Sequence, residues 1–256
     1  MVRKIHGSLR HIRRAATPPF WPVRRKGYVW AVKPRAGPHP LARSIPLAVV
    51  LRDMLGVVTG LREARRIIAE RKIAVDGRIV IDYKFPVGLM DVVEIIPEER
   101  VMRMVPHPVD VLTLVDIDRE EAGFKPVRVK RKQTVKGGHI QLTFHDGRNF
   151  LVRVKDARRP AEVPYRVYDA VKLAIPKEEI LDHIPFEPGV LGVVVDGANV
   201  GFVGRIKSIN RIFKRRNALV ELEGRDGEVV RTILDYVFPI GREEPLIKLP
   251  GGGEGE

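Results

Sequence analysis

Arg62, Arg65 and Arg66 recur three and four residues apart, the spacing that gathers side chains on one face of a helix. Arg71 and Lys72 follow at its end, and Glu63 and Glu70 offset the charge only in part. Two chemistries fit such a face. Water can solvate it, and cations near a helix C-terminus are favoured by the macrodipole, which accounts for Arg71 and Lys72 without any ligand. Arg62, Arg65 and Arg66 stand earlier, where the dipole gives them no advantage. A guanidinium is a planar fork that pairs with phosphate through two hydrogen bonds, so a polyanion is the stronger reading for these three.

Other candidate chemistry is thin. His139 and His145 lie six apart with Asp146 alongside, a spacing that matches no familiar metal site. Lys136-Gly137-Gly138 lacks the GxxxxGK[ST] pattern and precedes a strand rather than a helix, so no phosphate-cradling loop is expected there. No G-x-S-x-G or H-E-x-x-H pattern occurs, and no GxGxxG precedes a helix. Asp76, Asp146 and Asp226 each precede a glycine, in turns where aspartate caps its own backbone. The chain has no cysteine, which excludes disulfides and thiolate chemistry. No catalytic residue, cofactor, metal or small-molecule substrate is expected.

Composition points the same way. The 256 residues carry a formal charge of +14, and the hydrophobic fraction of 44% is enough for real cores. A sequence pI near 10.2 favours nucleic acid over an acidic membrane as partner. Residues 1–43 contain no Asp or Glu; the first acid is Asp53. That segment carries Arg3, Lys4, Arg10, Arg13, Arg14, Arg24, Arg25, Lys26, Lys33 and Arg35, interleaved with Phe20, Trp21, Tyr28 and Trp30. A one-sign block of this kind needs a counter-polyanion. His11 and Trp21 could stack on bases, or Trp21 could bury against the first domain. Prolines prevent long regular elements, so the arm is expected to be ordered mainly by its partner, after one short helix at 4–15. No apolar run spans a bilayer and no apolar stretch follows the basic N-terminus, so a cytoplasmic location is expected.

The elements that must position these cations follow from periodicity. Residues 44–96 read as helix, helix, hairpin, strand. Ser44 is a candidate cap, with Pro46 in the first turn; Thr59 is a candidate cap for a helix over 60–71. Asp76-Gly77 between alternating apolar residues signals a tight hairpin. Residues 97–188 read as a β-rich domain with strands near 101–105, 111–115, 127–130, 139–144, 149–154 and 171–175, ending in a helical or irregular stretch, PKEEILDHIPFEPG. Residues 189–241 read as a small all-β module with strands near 190–195, 202–209, 218–223 and 228–233. Residues 242–256 are a tail, flexible at GGGEGE. The fold class is multidomain, mixed α+β and all-β.

The stretch REARRIIAERKIAVDGRIVIDYKFPVGLMDVVEI resembles the alpha-L RNA-binding fold. In that family the second helix and following hairpin form one RNA-facing surface, which implies contacts from Arg62, Arg65, Arg66, Lys72 and Arg78. VLGVVVDGANVGFVGRIKSI resembles a KOW motif in an SH3-like barrel, with Asp196-Gly197 where two glycines are common and Phe202 where a basic residue is frequent. Lys207 and Arg215 belong to a basic cluster beside it. GSLRHIRRAATPPFWPV, KPRAGPHPLARSIPLAVVLRD, TVKGGHIQLTFHDGRN, DHIPFEPG and RTILDYVFPIG, in that order, are similar to small-subunit ribosomal protein family S4e. The resemblance implies a non-catalytic, ribosome-bound protein whose partners are small-subunit rRNA and neighbouring ribosomal proteins. A transient RNA chaperone or translation factor, or an RNA-modifying enzyme, is the alternative.

Overall fold

A computed structural model describes residues 10–24, 26–154, 163–177, 179–210 and 218–250. The chain divides into two compact units, Met1–Val105 with Leu112–Ala122, and Pro106–Val111 with Gly123–Glu256.

In the first unit, β1 (Ile12–Arg13) pairs antiparallel with β2 (Trp30–Ala31), Arg13 opposite Trp30. A single 3₁₀ turn, Arg14–Ala16, follows β1. Over its described part the short helix expected at 4–15 is therefore a strand and a turn, because Ile12–Arg13 are taken up in backbone pairing with Trp30–Ala31. The arm is also fastened to its own chain, contrary to expectation. Trp21 is buried and its Nε1 donates to the Ser44 carbonyl at 2.8 Å. The Arg35 N–H bonds to the Lys84 carbonyl at 2.9 Å, and the buried His39 ring meets Asp91 Oδ1 at 2.9 Å. Gly88 makes the last contact feasible, since a Cβ there would strike the His39 ring.

β3 (Ser44–Pro46) pairs with β6 (Pro86–Gly88). Ser44 is thus extended rather than a helix cap, and its hydroxyl donates to the Pro40 carbonyl. Pro46, at φ −64° and ψ 139°, precedes α1 (Leu47–Val49). The helix continues to Met54 as a wider turn in which the Leu55 N–H bonds to Val50, five residues back. α2 (Leu61–Ala69) starts after Gly60, and the Glu63 carboxylate reaches back to the Thr59 N–H and hydroxyl. Those bonds to Thr59 hold the Glu63 carboxyl below its ordinary range. α2 buries Ala64 and Ile68, and Arg71, at φ 61°, turns the chain out of it.

β4 (Ile73–Val75) and β5 (Arg78–Ile79) are joined by Asp76-Gly77, both at positive φ, as the Asp-Gly signal predicts. Asp76 Oδ1 accepts from the Val92 N–H at 3.0 Å, pinning the turn to β7 (Val92–Ile95). β8 (Arg100–His107) and β9 (Val111–Asp116) complete a sheet of order β5-β4-β7-β8-β9. The strands expected at 101–105 and 111–115 therefore form, but they extend this sheet instead of opening the central one. Glu99, at φ 52°, reverses the chain and lays β8 along β7 with Val93 opposite Met102, so the boundary expected at 96/97 falls inside a sheet. Beyond it, α3 (Arg119–Ala122) brings Glu121 to the fully buried Arg103, 3.0 Å from its Nε.

In the second unit, β10 (Phe124–Thr134) serves two neighbours. Its first half pairs with β13 (Ala170–Ala174) and its second with β11 (Ile140–Phe144). β12 (Asn149–Val152) and β14 (Ile180–Ile184) lie at the edges. Val127, Val129, Leu142, Phe144, Val171 and Leu173 form the core. β14 corrects the helical or irregular reading of PKEEILDHIPFEPG: Pro176, Pro185 and Pro188 bracket the segment and leave it extended.

β15 (Leu191–Val194), β16 (Val203–Asn210), β17 (Leu219–Glu223) and β18 (Val229–Ile233) form the expected antiparallel run. β19 (Val237–Gly241), which periodicity did not single out, pairs with β15. Gly204 lets β16 approach β17, since a Cβ there would lie 2.7 Å from the Glu223 carbonyl oxygen. The tail begins later than 242: the Leu246 N–H bonds to Ile240 and Ile247 is buried. Arg128 ties the two sheets of this unit together, its Nη1 donating to the Asp235 and Val237 carbonyls at 2.9 and 2.7 Å.

Candidate nucleic-acid interface

Because Ala64 and Ile68 turn α2 toward the core, Arg62, Arg65 and Arg66 fall on its exposed side. They do not behave alike. Arg66 Nε pairs with Glu70 at 2.9 Å and Lys72 Nζ meets the same carboxylate at 2.6 Å. Hydrogen bonds from Lys72 and Arg66 hold the Glu70 carboxyl below its ordinary range. Arg65 instead lies on an aromatic ring, with its guanidinium carbon 4.2 Å from the centre of Tyr83 and its Nη2 donating to the Tyr83 hydroxyl at 2.8 Å. Lys84 Nζ stands 5.5 Å from the same ring.

Tyr83 belongs to a tight turn made by Asp82, which accepts the Lys84 N–H on its side chain and the Phe85 N–H on its carbonyl. The arm comes back to this turn through the backbone bond of Arg35. The result is an open basin of about 580 Å³ whose walls include Arg10, Lys33, Arg35, Tyr83 and Lys84. Asp82 also lines it and pairs weakly with Arg35 at 3.5 Å, an exposed contact worth little. Four cations from two separated segments thus face one carboxylate that the turn itself requires. This geometry suits a phosphate chain passing over a flat aromatic surface.

The remaining sequence candidates are distributed around this centre. Arg24, Lys26 and Arg78 are exposed. Arg13 is exposed beside Trp30, its guanidinium carbon 5.7 Å from the ring centre. Arg14 is half-buried and donates to the Val23 carbonyl, so part of its capacity is spent inside the arm. Lys207, in β16, pairs with Glu223 at 3.3 Å, far in sequence from the basin. Arg3, Lys4, Arg25 and Arg215 lie outside the described residues. Trp21 takes the buried alternative. His139 Nδ1 accepts from the Val154 N–H and His145 Nδ1 from the Arg128 N–H, so both rings serve backbone. Among the described residues no cluster of His, Cys, Asp or Glu could hold a metal ion.

Tyr83 and Lys84 were not singled out in the sequence, although they lie just beyond the hairpin. An aromatic residue beside a lysine in a loop was the available signal.

Three sequence profiles match the chain: the RS4NT (NUC023) domain over residues 6–42, the S4 domain over 45–93, and Ribosomal family S4e over 98–180. The small ribosomal subunit protein eS4 of Ignicoccus hospitalis is 52% identical over 98% of this chain and 99% of its own length. The chain belongs to the S4e family. Another relative in the family, the eS4 protein of Desulfurococcus amylolyticus, is 50% identical over 96% of this chain and 98% of its own. The crystal structure of the 30S ribosomal protein S4e from Thermoplasma acidophilum shares 32% identity, with a TM-score of 0.67, over 80% of this chain and 99% of that one. Within the S4e frame, the basin joins the segment matched by the RS4NT profile to the segment matched by the S4 domain.

Proposed function

We propose that this chain is a structural component of the small ribosomal subunit that binds and stabilises rRNA through the surface where the arm meets α2 and the Asp82 turn. The observation that carries the reading is the basin, whose lining brings Arg10, Lys33 and Arg35 of the arm together with Tyr83 and Lys84 of the turn, while Arg65 lies on the Tyr83 ring. Its family relatives are small-subunit proteins, and a ribosomal structural role, not an enzymatic one, follows from membership of their family. A-form RNA keeps its base edges in a deep narrow groove, so a rigid basic corner reads shape and phosphates.

Arg10, Arg13, Arg24, Lys26, Lys33, Arg35, Arg62, Arg65, Arg66, Lys72 and Arg78 are the contacts we assign to that surface, with residues 1–43 and 44–96 acting together. The antiparallel sheet β15 to β19 is the SH3-like KOW module of this reading, supported by the closing pair β15–β19. The partners are small-subunit rRNA and neighbouring small-subunit proteins, and the protein is ribosome-bound. No helix among the described residues is long and apolar enough to cross a membrane.

Gradient sedimentation of native lysate at moderate and high salt tests this. The expected result is near-stoichiometric protein per small-subunit rRNA, retained through the wash. Substoichiometric, salt-released protein overturns it in favour of a transient chaperone or translation factor.

A further inference from the structure

We infer that Tyr28 and Trp30 form a stacking platform for unpaired RNA bases, separate from the phosphate-facing basin. The inference rests on the rRNA-binding reading and adds the kind of nucleotide taken. Two aromatic rings in one short stretch of the arm are left in solvent, Tyr28 at 61% and Trp30 at 56% exposure, with Val29 between them at 70%. Trp21, in the same arm, is buried, so the exposure is not a general property of the segment.

Both rings are held and both are backed by cations. Trp30 is fixed by its β2 pairing opposite Arg13 and by the Arg14 N–H bonding to the Val29 carbonyl at 3.0 Å. The His11 ring packs edge-on against it at 5.9 Å, and Arg13 lies at 5.7 Å. Tyr28 lies 5.2 Å from the guanidinium carbon of Arg52. Arg52 is itself mostly buried and clamped by Asp53, with contacts of 3.1, 3.0 and 2.6 Å.

The charge around the rings selects the occupant. Asp53 is consumed by Arg52, and residues 1–43 contain no carboxylate at all. A protein partner would need an acidic, apolar face to match. An unpaired nucleotide supplies a flat ring for the aromatic surface and a phosphate for Arg13 in one unit, whereas a paired base keeps its faces inside the stack.

The two tryptophans make the test direct. The full-length protein is titrated with a short single-stranded oligoadenylate and with a blunt RNA duplex of equal charge, following tryptophan emission. Single-stranded RNA is expected to quench emission in the native protein and not in Trp30→Leu. Trp30→Leu and Tyr28→Leu are each expected to weaken single-strand binding about tenfold while changing duplex binding less than about twofold. Unchanged emission from buried Trp21 in Trp30→Leu certifies the fold.

Equal losses for both RNAs, or no quenching, overturn the platform. If both variants bind both RNAs normally but fail to retain a neighbouring protein in assembled subunits, the rings are a protein contact and the inference falls. If the native protein binds neither RNA, it is the rRNA-binding reading itself that fails.

Discussion

Arg65 and Tyr83 are locked together: the guanidinium carbon lies 4.2 Å from the ring centre and the Tyr83 hydroxyl accepts a 2.8 Å hydrogen bond from Nη2. The pair fixes a long, flexible cation against Tyr83, which lines the basin, so in the proposed rRNA complex less side-chain freedom is lost on binding. Tyr83→Leu should weaken rRNA binding several-fold with the salt dependence unchanged, because no charge is removed. Arg65→Ala should weaken it and also lower the salt slope by about one. Filter binding across a salt series separates the two, and a slope that falls equally in both variants would contradict the division of roles.

Glu70 holds both Arg66 and Lys72, and its carboxyl is shifted downward by those two bonds. In the rRNA-binding reading proposed above, it competes with phosphate for the same cations. Glu70→Gln should raise rRNA affinity a few-fold and steepen the salt dependence, with little change in melting temperature because the network is exposed. Weaker RNA binding in this variant would mean that Glu70 orients the cations instead of restraining them.

Asp146 is buried with Lys125 at 3.4 Å and Arg148 at 3.2 Å. Burial pushes its carboxyl up, but Lys125, His145 and Arg148 outweigh that and hold it below the ordinary value of 3.8. A carboxyl whose folded pKa is depressed contributes stability that is present above its ordinary value and lost as pH falls through the lower folded one. Denaturant unfolding should therefore show the second unit weakening below about pH 4. Asp146→Ala should cost about 3–5 kcal/mol at neutral pH by stranding Lys125, and much of that loss should be recovered in Lys125→Met with Asp146→Leu. An acid profile identical in the native protein and the double variant would refute this assignment.

Trp21 is the arm's anchor. Trp21→Phe keeps the apolar contact and loses the bond to Ser44, for a cost of about 1 kcal/mol. Trp21→Ala should release the arm, seen as faster tryptic cleavage after Arg24 and Lys26. Cleavage at the native rate in Trp21→Ala would show that the other fastenings suffice alone.

What the sequence makes legible depends on whether the signal is local. The helix over 60–71 and the Asp76-Gly77 hairpin were readable because periodicity and turn chemistry act within a few residues. The partner of β8 was not, because the reversal before it uses Glu99 in a left-handed conformation without a glycine to mark it. β14 was missed because its acidic run reads as helical while the constraint comes from flanking prolines. At the candidate interface, the position of Arg65 on the exposed side of α2 was readable but its ring was not, since Tyr83 reaches it from 18 residues away. Trp21 and Trp30 sit in similar basic surroundings in sequence, and only the packing separates the buried ring from the exposed one.

The bonds from Trp21 to Ser44, from Arg35 to Lys84 and from His39 to Asp91 mean that much of the arm is shaped before RNA arrives. Ordering a free chain costs about 1–2 kcal/mol per residue, and here that cost for the fastened segment belongs to protein folding rather than to encounter with RNA. Association can then proceed closer to rigid docking than to folding on contact, and a nucleic acid meeting this surface is the component that must adjust. In the proposed reading the protein arrives as a mould, and conformations of RNA that fit it are the ones it retains.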